Sequence, residues 1–237
     1  EGISQEAISL AGHLRLKKLI VLWDDNSITI DGKIGLADST DQLKRFEASG
    51  WSTARIDGHD RKAVSAALAA AQSADRPTLI AVKTIIGKGA PSKQGTSSTH
   101  GSPLGADEVA AARKALDWPH PPFEIPDDVF AAWREVGARG RSSREGWMRR
   151  LSASPQNETF NAALKGDASA RVDAALADYK KKLAAEPPKV ATRKASEMAL
   201  EVINSVVEET IGGSADLTGS NNTKTKALEP LTAQNYA

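Results

Sequence analysis

Leu19-Ile20-Val21-Leu22-Trp23-Asp24-Asp25-Asn26 is the stretch on which the fold turns. An apolar run this short reads as a strand covered on both faces, and the switch to two carboxylates and an amide marks its carboxyl end. Upstream, Ile3, Ala7, Ile8, Leu10, Ala11 and Leu14 recur at helical spacing. They predict a helix over residues 2–16, with Lys17-Lys18 placing positive charge at its carboxyl end. Downstream the same alternation repeats. Gln42–Ala48 reads as helix and Trp51–Ile56 as strand, and Asp60 can cap a helix through Ala63–Ala74. Thr78–Val82 is a third strand, opened by Pro77. Helices alternating with short apolar strands imply a parallel α/β sheet.

Beyond that sheet the texture changes. Gly87 to Gly105 is rich in Gly, Pro, Ser, Thr and Lys, and loops of that length are functional or disordered. Asp107–Leu116, Asp127–Val136, Arg144–Leu151 and Ala168–Ala185 then read as helices. Pro187-Pro188 marks the expected domain boundary, since paired prolines make a stiff extended linker. Ala195, Met198, Ala199, Val202, Ile203 and Val206 form a new helical face leading into a glycine-rich strand-and-loop, Ile211–Leu217. A second α/β domain is expected to open there. The opening Glu1, with no Met before it, reads as an internal piece of a longer chain.

Composition narrows the function. The chain has 237 residues, 26% of them charged, and 31 Lys+Arg against 30 Asp+Glu leave a net charge of +1. That balance gives no electrostatic footprint for nucleic acid or an anionic membrane surface. No run approaches the roughly 20 apolar residues that span a bilayer. The absence of cysteine excludes disulfides and cysteine-held metals. No secretory pattern opens the chain, which suits a cytoplasmic protein.

Four groups could carry chemistry. In the polar run Asp24 to Gly32, an Asn side-chain oxygen and a main-chain oxygen two residues on are hard ligands suited to Mg²⁺. The same run also reads as a capped turn. His100, between Thr99 and Gly101, can act as donor or proton shuttle, or be an ordinary surface imidazole. His13, His59 and His120 have no metal-ligand spacing. Lys83-Thr84-Ile85-Ile86-Gly87-Lys88-Gly89 could bring backbone near a phosphate, without forming a Walker loop. Arg193 and Ser220 could grip a phosphate, or be a helix-start Arg and a loop Ser.

Taken together, Glu1-Gly2-Ile3-Ser4-Gln5-Glu6-Ala7, the Asp24–Gly32 run and Asp57-Gly58-His59-Asp60 resemble the transketolase family, in the same order. Lys83 to Gly87, Thr99 to Gly105, Pro122-Phe123-Glu124-Ile125-Pro126, Arg193-Lys194-Ala195-Ser196 and Gly212 to Leu217 continue the match over essentially the whole chain. The resemblance implies a thiamine-diphosphate enzyme that moves a two-carbon ketol unit from a ketose phosphate to an aldose phosphate in the pentose phosphate pathway. It implies a cytoplasmic homodimer, inactive as this stretch alone, with sugar phosphates as substrates. Residues 1–150 would be the later part of the diphosphate-binding domain, 151–190 a helical linker region and 191–237 the start of the pyrimidine-binding domain. In the resemblance Asn26 and the Ile28 carbonyl hold Mg²⁺, with Ca²⁺ as a substitute, and so bind the cofactor. His100 contacts cofactor and substrate and assists proton movement. Arg193 and Ser220 resemble the sugar-phosphate grip, and Asp216 an acid near the thiazolium across the dimer interface. A third metal ligand, from a Gly-Asp-Gly motif, would fall just upstream of Glu1, and the cofactor-activating glutamate beyond Ala237. Ser97 stands where many relatives carry a second histidine. Dihydroxyacetone synthase and deoxyxylulose-phosphate synthase are neighbouring readings, and a non-enzymatic binding module is a third.

Overall fold

The computed structural model describes residues 2–236. Glu1 of the first motif, Ala237 and the side chain of Ile3 lie outside that description. The helix α1 spans Gly2–His13, shorter than the expected 2–16. Arg15 turns left-handed at φ 51°. Its N–H donates to the Gly12 carbonyl at 3.0 Å, while that of Leu16 donates to Ala11 at 3.1 Å. This bond pair is a Schellman C-cap, so Lys17 and Lys18 lie beyond the helix end and not in its last turn.

The strands are β1 (Ile20–Asp25), the short pair β2 (Ile28–Thr29) and β3 (Gly32–Lys33), β4 (Ser52–Asp57) and β5 (Thr78–Lys83). The main sheet is parallel with order β1-β5-β4. Its register aligns Ile20, Thr78 and Ser52 at one end and Asp25, Lys83 and Asp57 at the other. The last strand in sequence is therefore the central one. That position moves the both-faces-covered character from the first strand to the third: Ile80 is 0% exposed, whereas Leu22 in the neighbouring register position is 54% exposed. Among the described residues β1 has a neighbour on one side only, which leaves the face around Leu22 incompletely covered.

Helix α2 (Gln42–Ala48) leads into β4, and α3 (Arg61–Gln72) follows it. Asp60 caps α3 as expected, its carboxylate accepting from the N–H groups of Lys62 at 2.8 Å and Ala63 at 3.3 Å. Ala11, Trp51 and Leu79 form the core, with Ile8, Val21, Trp23, Leu43 and Phe46 packed around them. The Trp51 indole N–H, buried among apolar groups, donates to the Ile8 carbonyl at 2.9 Å. Phe46 meets the Trp51 ring edge-on at 5.1 Å.

After the long loop come α4 (Ala106–Ala115), α5 (Asp127–Ala138), α6 (Arg141–Ser152) and α7 (Asn157–Lys165). Helix α8 (Ser169–Ala185), α9 (Thr192–Asn204) and the single turn α10 (Thr218–Asn221) complete the order. The sequence reading missed α7, which closes on a left-handed Gly166 and packs Phe160 against Trp147 of α6 at 5.5 Å. Ile211–Leu217, expected to include a strand, has no strand. An isolated strand leaves its backbone donors and acceptors without a ladder, and no described strand lies nearby in that unit.

Two compact units divide the chain, 1–125 with 231–237, and 126–230. The break falls at Ile125–Pro126 and not at Pro187-Pro188, because α8 and α9 pack against each other across the two prolines. In the first unit the carboxyl edge of the sheet brings Asp25, Lys83 and Asp57 together in register.

Candidate metal and cofactor site

At the carboxyl end of β1 the chain turns through Asn26-Ser27-Ile28, and Ser27 adopts a left-handed φ of 64°. For a residue with a Cβ that conformation costs roughly 1–2 kcal/mol, so the surroundings must hold it. The Asn26 amide is gripped from both sides. Its Nδ2 donates to Asp24 Oδ2 at 3.2 Å, and its Oδ1 accepts the Ile28 N–H at 2.9 Å. Only the NH₂ end can donate to a carboxylate and only the oxygen can accept from an N–H, so the amide orientation is chemically determined.

The strand ends tie this turn down. Asp24 accepts from the Thr84 hydroxyl beyond β5. Asp25, whose side chain is 12% exposed, pairs with Arg55 of β4. Arg55 on β4 and Asp25 on β1 flank the central β5, so the guanidinium reaches its partner across that strand. Lys83 Nζ lies 3.9 Å from Asp25 Oδ1 and donates to the Ser27 hydroxyl at 2.5 Å.

A groove of about 520 Å³ lies beside the turn. Asp24, Asp25, Asp38 and Asp41 line it against Arg55 and Lys83. The Thr40 N–H holds the Asp38 carboxyl below its ordinary value, and the Lys44 N–H does the same for Asp41. With four carboxylates against two cations, the groove favours a cation over a bare diphosphate.

The donor chemistry fits a magnesium ion. Asn26 Oδ1 and the Ile28 carbonyl are hard, uncharged oxygens. Among the described residues no three His, Cys, Asp or Glu side chains gather as a metal cluster. Two ligands from one turn would leave the remaining positions of a six-coordinate ion for phosphate oxygens, water and residues elsewhere.

His100 stands on the loop that follows β5. A single 3-10 turn, Ser97–Thr99, precedes it, and its N–H donates to Ser97 at 3.0 Å. The imidazole is exposed and makes no side-chain hydrogen bond among the described residues, leaving both nitrogens available to a ligand. The loop around it is ordered by Glu108, a buried carboxylate in the first turn of α4. Its oxygens accept from Ser92 N at 2.9 Å, Ser92 Oγ at 2.5 Å and Lys93 N at 3.2 Å. The Ser92 hydroxyl, then the backbone N–H groups, hold the Glu108 carboxyl below its ordinary value. Lys93 Nζ closes the loop onto the Leu104 carbonyl at 2.7 Å. His59, at the end of β4, accepts the Ile85 N–H at Nε2, 3.0 Å away, and anchors the loop's first residues.

In the second unit the structure brings together a pair that spacing alone left unconnected. Arg193, in the first turn of α9, donates to the carbonyl of Ser220 in α10 at 3.4 Å. Asn222 Nδ2 adds a bond to Glu197 Oε2 at 2.9 Å. Asp216 lies just before α10, exposed, with a left-handed φ of 56°. Arg55, Glu108 and the contacts of Lys83 are the features of this architecture that the sequence reading missed. A basic residue inside a strand was the one available signal for Arg55, and nothing local distinguished Glu108 from other first-turn acids.

Comparison with known proteins converges on one family. The family model described as "Transketolase, thiamine diphosphate binding domain" matches residues 1–177. The chain is 55% identical over 228 residues to the transketolase of Cereibacter sphaeroides, covering 96% of this chain and 35% of that protein. It is 50% identical over 236 residues to that of Sinorhizobium medicae, covering 100% of this chain and 34% of the relative. The transketolase crystal structure from Campylobacter jejuni superposes with a TM-score of 0.83 at 32% identity, over 97% of this chain and 35% of that one. That of Pichia stipitis, solved with sedoheptulose 7-phosphate, gives 0.81 at 36% identity, over 96% and 34%. The chain thus spans about a third of the length of the relatives it matches. With the family model covering three quarters of its residues and relatives matching along nearly all of it, this chain belongs to the transketolase family.

Proposed function

We propose that this chain is the part of a transketolase that anchors the diphosphate of thiamine diphosphate through Mg²⁺ and presents His100 to the reacting sugar. Bound there, thiamine diphosphate supplies the carbanion and electron sink for moving a two-carbon ketol unit from a ketose phosphate to an aldose phosphate. The observation that carries the reading is the Asn26 turn, with its amide clamped by Asp24 and the Ile28 N–H. Asn26 Oδ1 and the Ile28 carbonyl hold the metal, and the acidic groove beside them supports a cation there. Ca²⁺ is a substitute because it accepts the same hard oxygens.

His100 contacts cofactor and substrate, and its unengaged imidazole assists proton movement at the ketol carbons. Arg193 and Ser220 bind the sugar's terminal phosphate, and that remote contact positions the reacting carbons. Asp216 lies near the thiazolium, contributed from one subunit of a homodimer to the other. Residues 1–150 belong to the diphosphate-binding domain, 151–190 to a helical linker region, and 191–237 open the pyrimidine-binding domain. The reaction belongs to the pentose phosphate pathway, in the cytoplasm. Among the described residues no helix is long and apolar enough to cross a membrane.

The protein carrying this chain, supplied with xylulose 5-phosphate and ribose 5-phosphate, is expected to yield sedoheptulose 7-phosphate when thiamine diphosphate and Mg²⁺ are present. Absence of that product would turn the assignment toward the other ketol-handling relatives. His100→Ala is expected to lower turnover by about 100-fold or more, in line with losing a general acid–base group. Mg²⁺-dependent cofactor binding should persist in that variant. Wild-type turnover in it would remove His100 from the chemistry.

A further inference from the structure

We propose that Lys83 is a positioning residue for the metal-binding turn, acting through the hydroxyl of Ser27. The inference rests on the reading of Asn26 and Ile28 as metal ligands and adds the group that holds them in place. Ser27 is the residue between the two ligands, and it is left-handed at φ 64° where glycine would be the undemanding choice. A turn built on such a residue relaxes unless something outside it opposes the relaxation.

That opposing contact comes from another strand. Lys83 ends β5, and its ammonium donates to Ser27 Oγ at 2.5 Å. The lysine is itself held by Asp25, 3.9 Å away and one residue before Asn26. Arg55 pairs with the same carboxylate from β4, so Asp25 is fixed from two strands. Asp24, tied to Thr84, grips the other end of the ligand amide. Every residue of Asp24-Asp25-Asn26-Ser27 is therefore bonded within the turn or to the carboxyl ends of β4 and β5. The Ile34 N–H holds the Ser27 carbonyl at 3.0 Å, and Lys83 is the side chain that reaches the hydroxyl of the strained residue.

The side chains of Lys83 and Arg55 are about half exposed, so their ion pairs add little to folding stability. Their effect belongs instead to the geometry of the ligands, where partners one step removed from a metal commonly change affinity by about 10–100-fold. The hydroxyl makes a specific signature available. Replacing Ser27 by glycine removes both the need for the grip and the group that is gripped, so it should make Lys83 dispensable.

The experiment measures Mg²⁺ affinity by isothermal titration calorimetry on the full-length protein saturated with thiamine diphosphate, with the melting temperature of the metal-free protein alongside. Lys83→Met is expected to weaken Mg²⁺ binding by about 10-fold with little change in melting temperature. Lys83→Met combined with Ser27→Gly should return near the wild-type value. Ser27→Ala, which keeps the Cβ but loses the hydroxyl, should match Lys83→Met and serves if the lysine variant folds poorly. Wild-type affinity in both Lys83→Met and Ser27→Ala overturns the proposal, as does a Lys83→Met defect that glycine at position 27 leaves unrepaired. Asn26→Ala separates the two layers. If it abolishes Mg²⁺ binding while Lys83→Met and Ser27→Ala do nothing, the positioning role alone fails. If it binds Mg²⁺ like the wild type, the ligand assignment beneath it fails.

Discussion

Glu108 holds two consecutive loop residues, Ser92 and Lys93, to the first turn of α4. Its carboxyl titrates below the ordinary glutamate value of 4.5, because the Ser92 hydroxyl and backbone N–H groups favour the ionised form. A depressed folded-state pKa contributes stability that is complete above the unfolded value and is lost as pH falls through the folded one. Amide exchange at Ser92 and Lys93, corrected for intrinsic rates, should therefore be steady above about pH 5 and quicken as acid protonates Glu108. In Glu108→Gln the same amides should exchange faster at neutral pH and lose that acid-dependent step. An unchanged profile would mean the loop carrying His100 is ordered by something else. Glu108 also shows a limit of linear reading, since an acid in a helix's first turn is ordinarily a dipole partner and its loop contacts lie about 16 residues back.

Elements show how neighbours overrule local pattern. The periodicity of α1 and the apolar run of β1 are both legible, yet α1 ends early because Leu14, Arg15 and Leu16 fold into a cap. Gly12 explains why α1 fits where it does. A Cβ built there would lie 1.7 Å from the Ser49 carbonyl oxygen, a backbone atom at the α2–β4 junction that cannot move aside cheaply. Alanine in a helix ordinarily gains about 0.5–1 kcal/mol over glycine. Here the clash outweighs that gain, and Gly12→Ala should destabilise the first unit by about 3 kcal/mol, measured by denaturant unfolding. A stabilised variant would show that α1 sits farther from β4. Strand β5 gives the complementary case: nothing in Thr78–Val82 says that it lies between β1 and β4, and its burial follows from that place in the order.

At the scale of the whole molecule, large apolar side chains remain exposed in both units, including Leu22 at 54%, Trp133 at 72% and Ile211 at 84%. Surface of that kind marks contact with other protein, and the relatives are about three times as long as this chain. The 237-residue stretch expressed alone should bind a hydrophobic dye such as ANS more strongly than the full-length protein and show no ketol transfer. Equal dye binding would mean the apolar faces stay open in the full-length protein too. Much was determined by sequence: the alternation of helices and apolar strands, the Asp60 cap, the polar turn after β1 and the family motifs are all local, and each is written in a few consecutive residues. Tertiary structure alone decided what depends on non-local pairing. It set the strand order β1-β5-β4, the reach of Arg55 across β5 to Asp25, the Lys83–Ser27 contact spanning 56 residues, the joining of Arg193 to Ser220, and the loss of the strand expected at Ile211–Leu217. The physical reason is that hydrogen-bond ladders and ion pairs need a partner, and which partner arrives is a property of the folded chain.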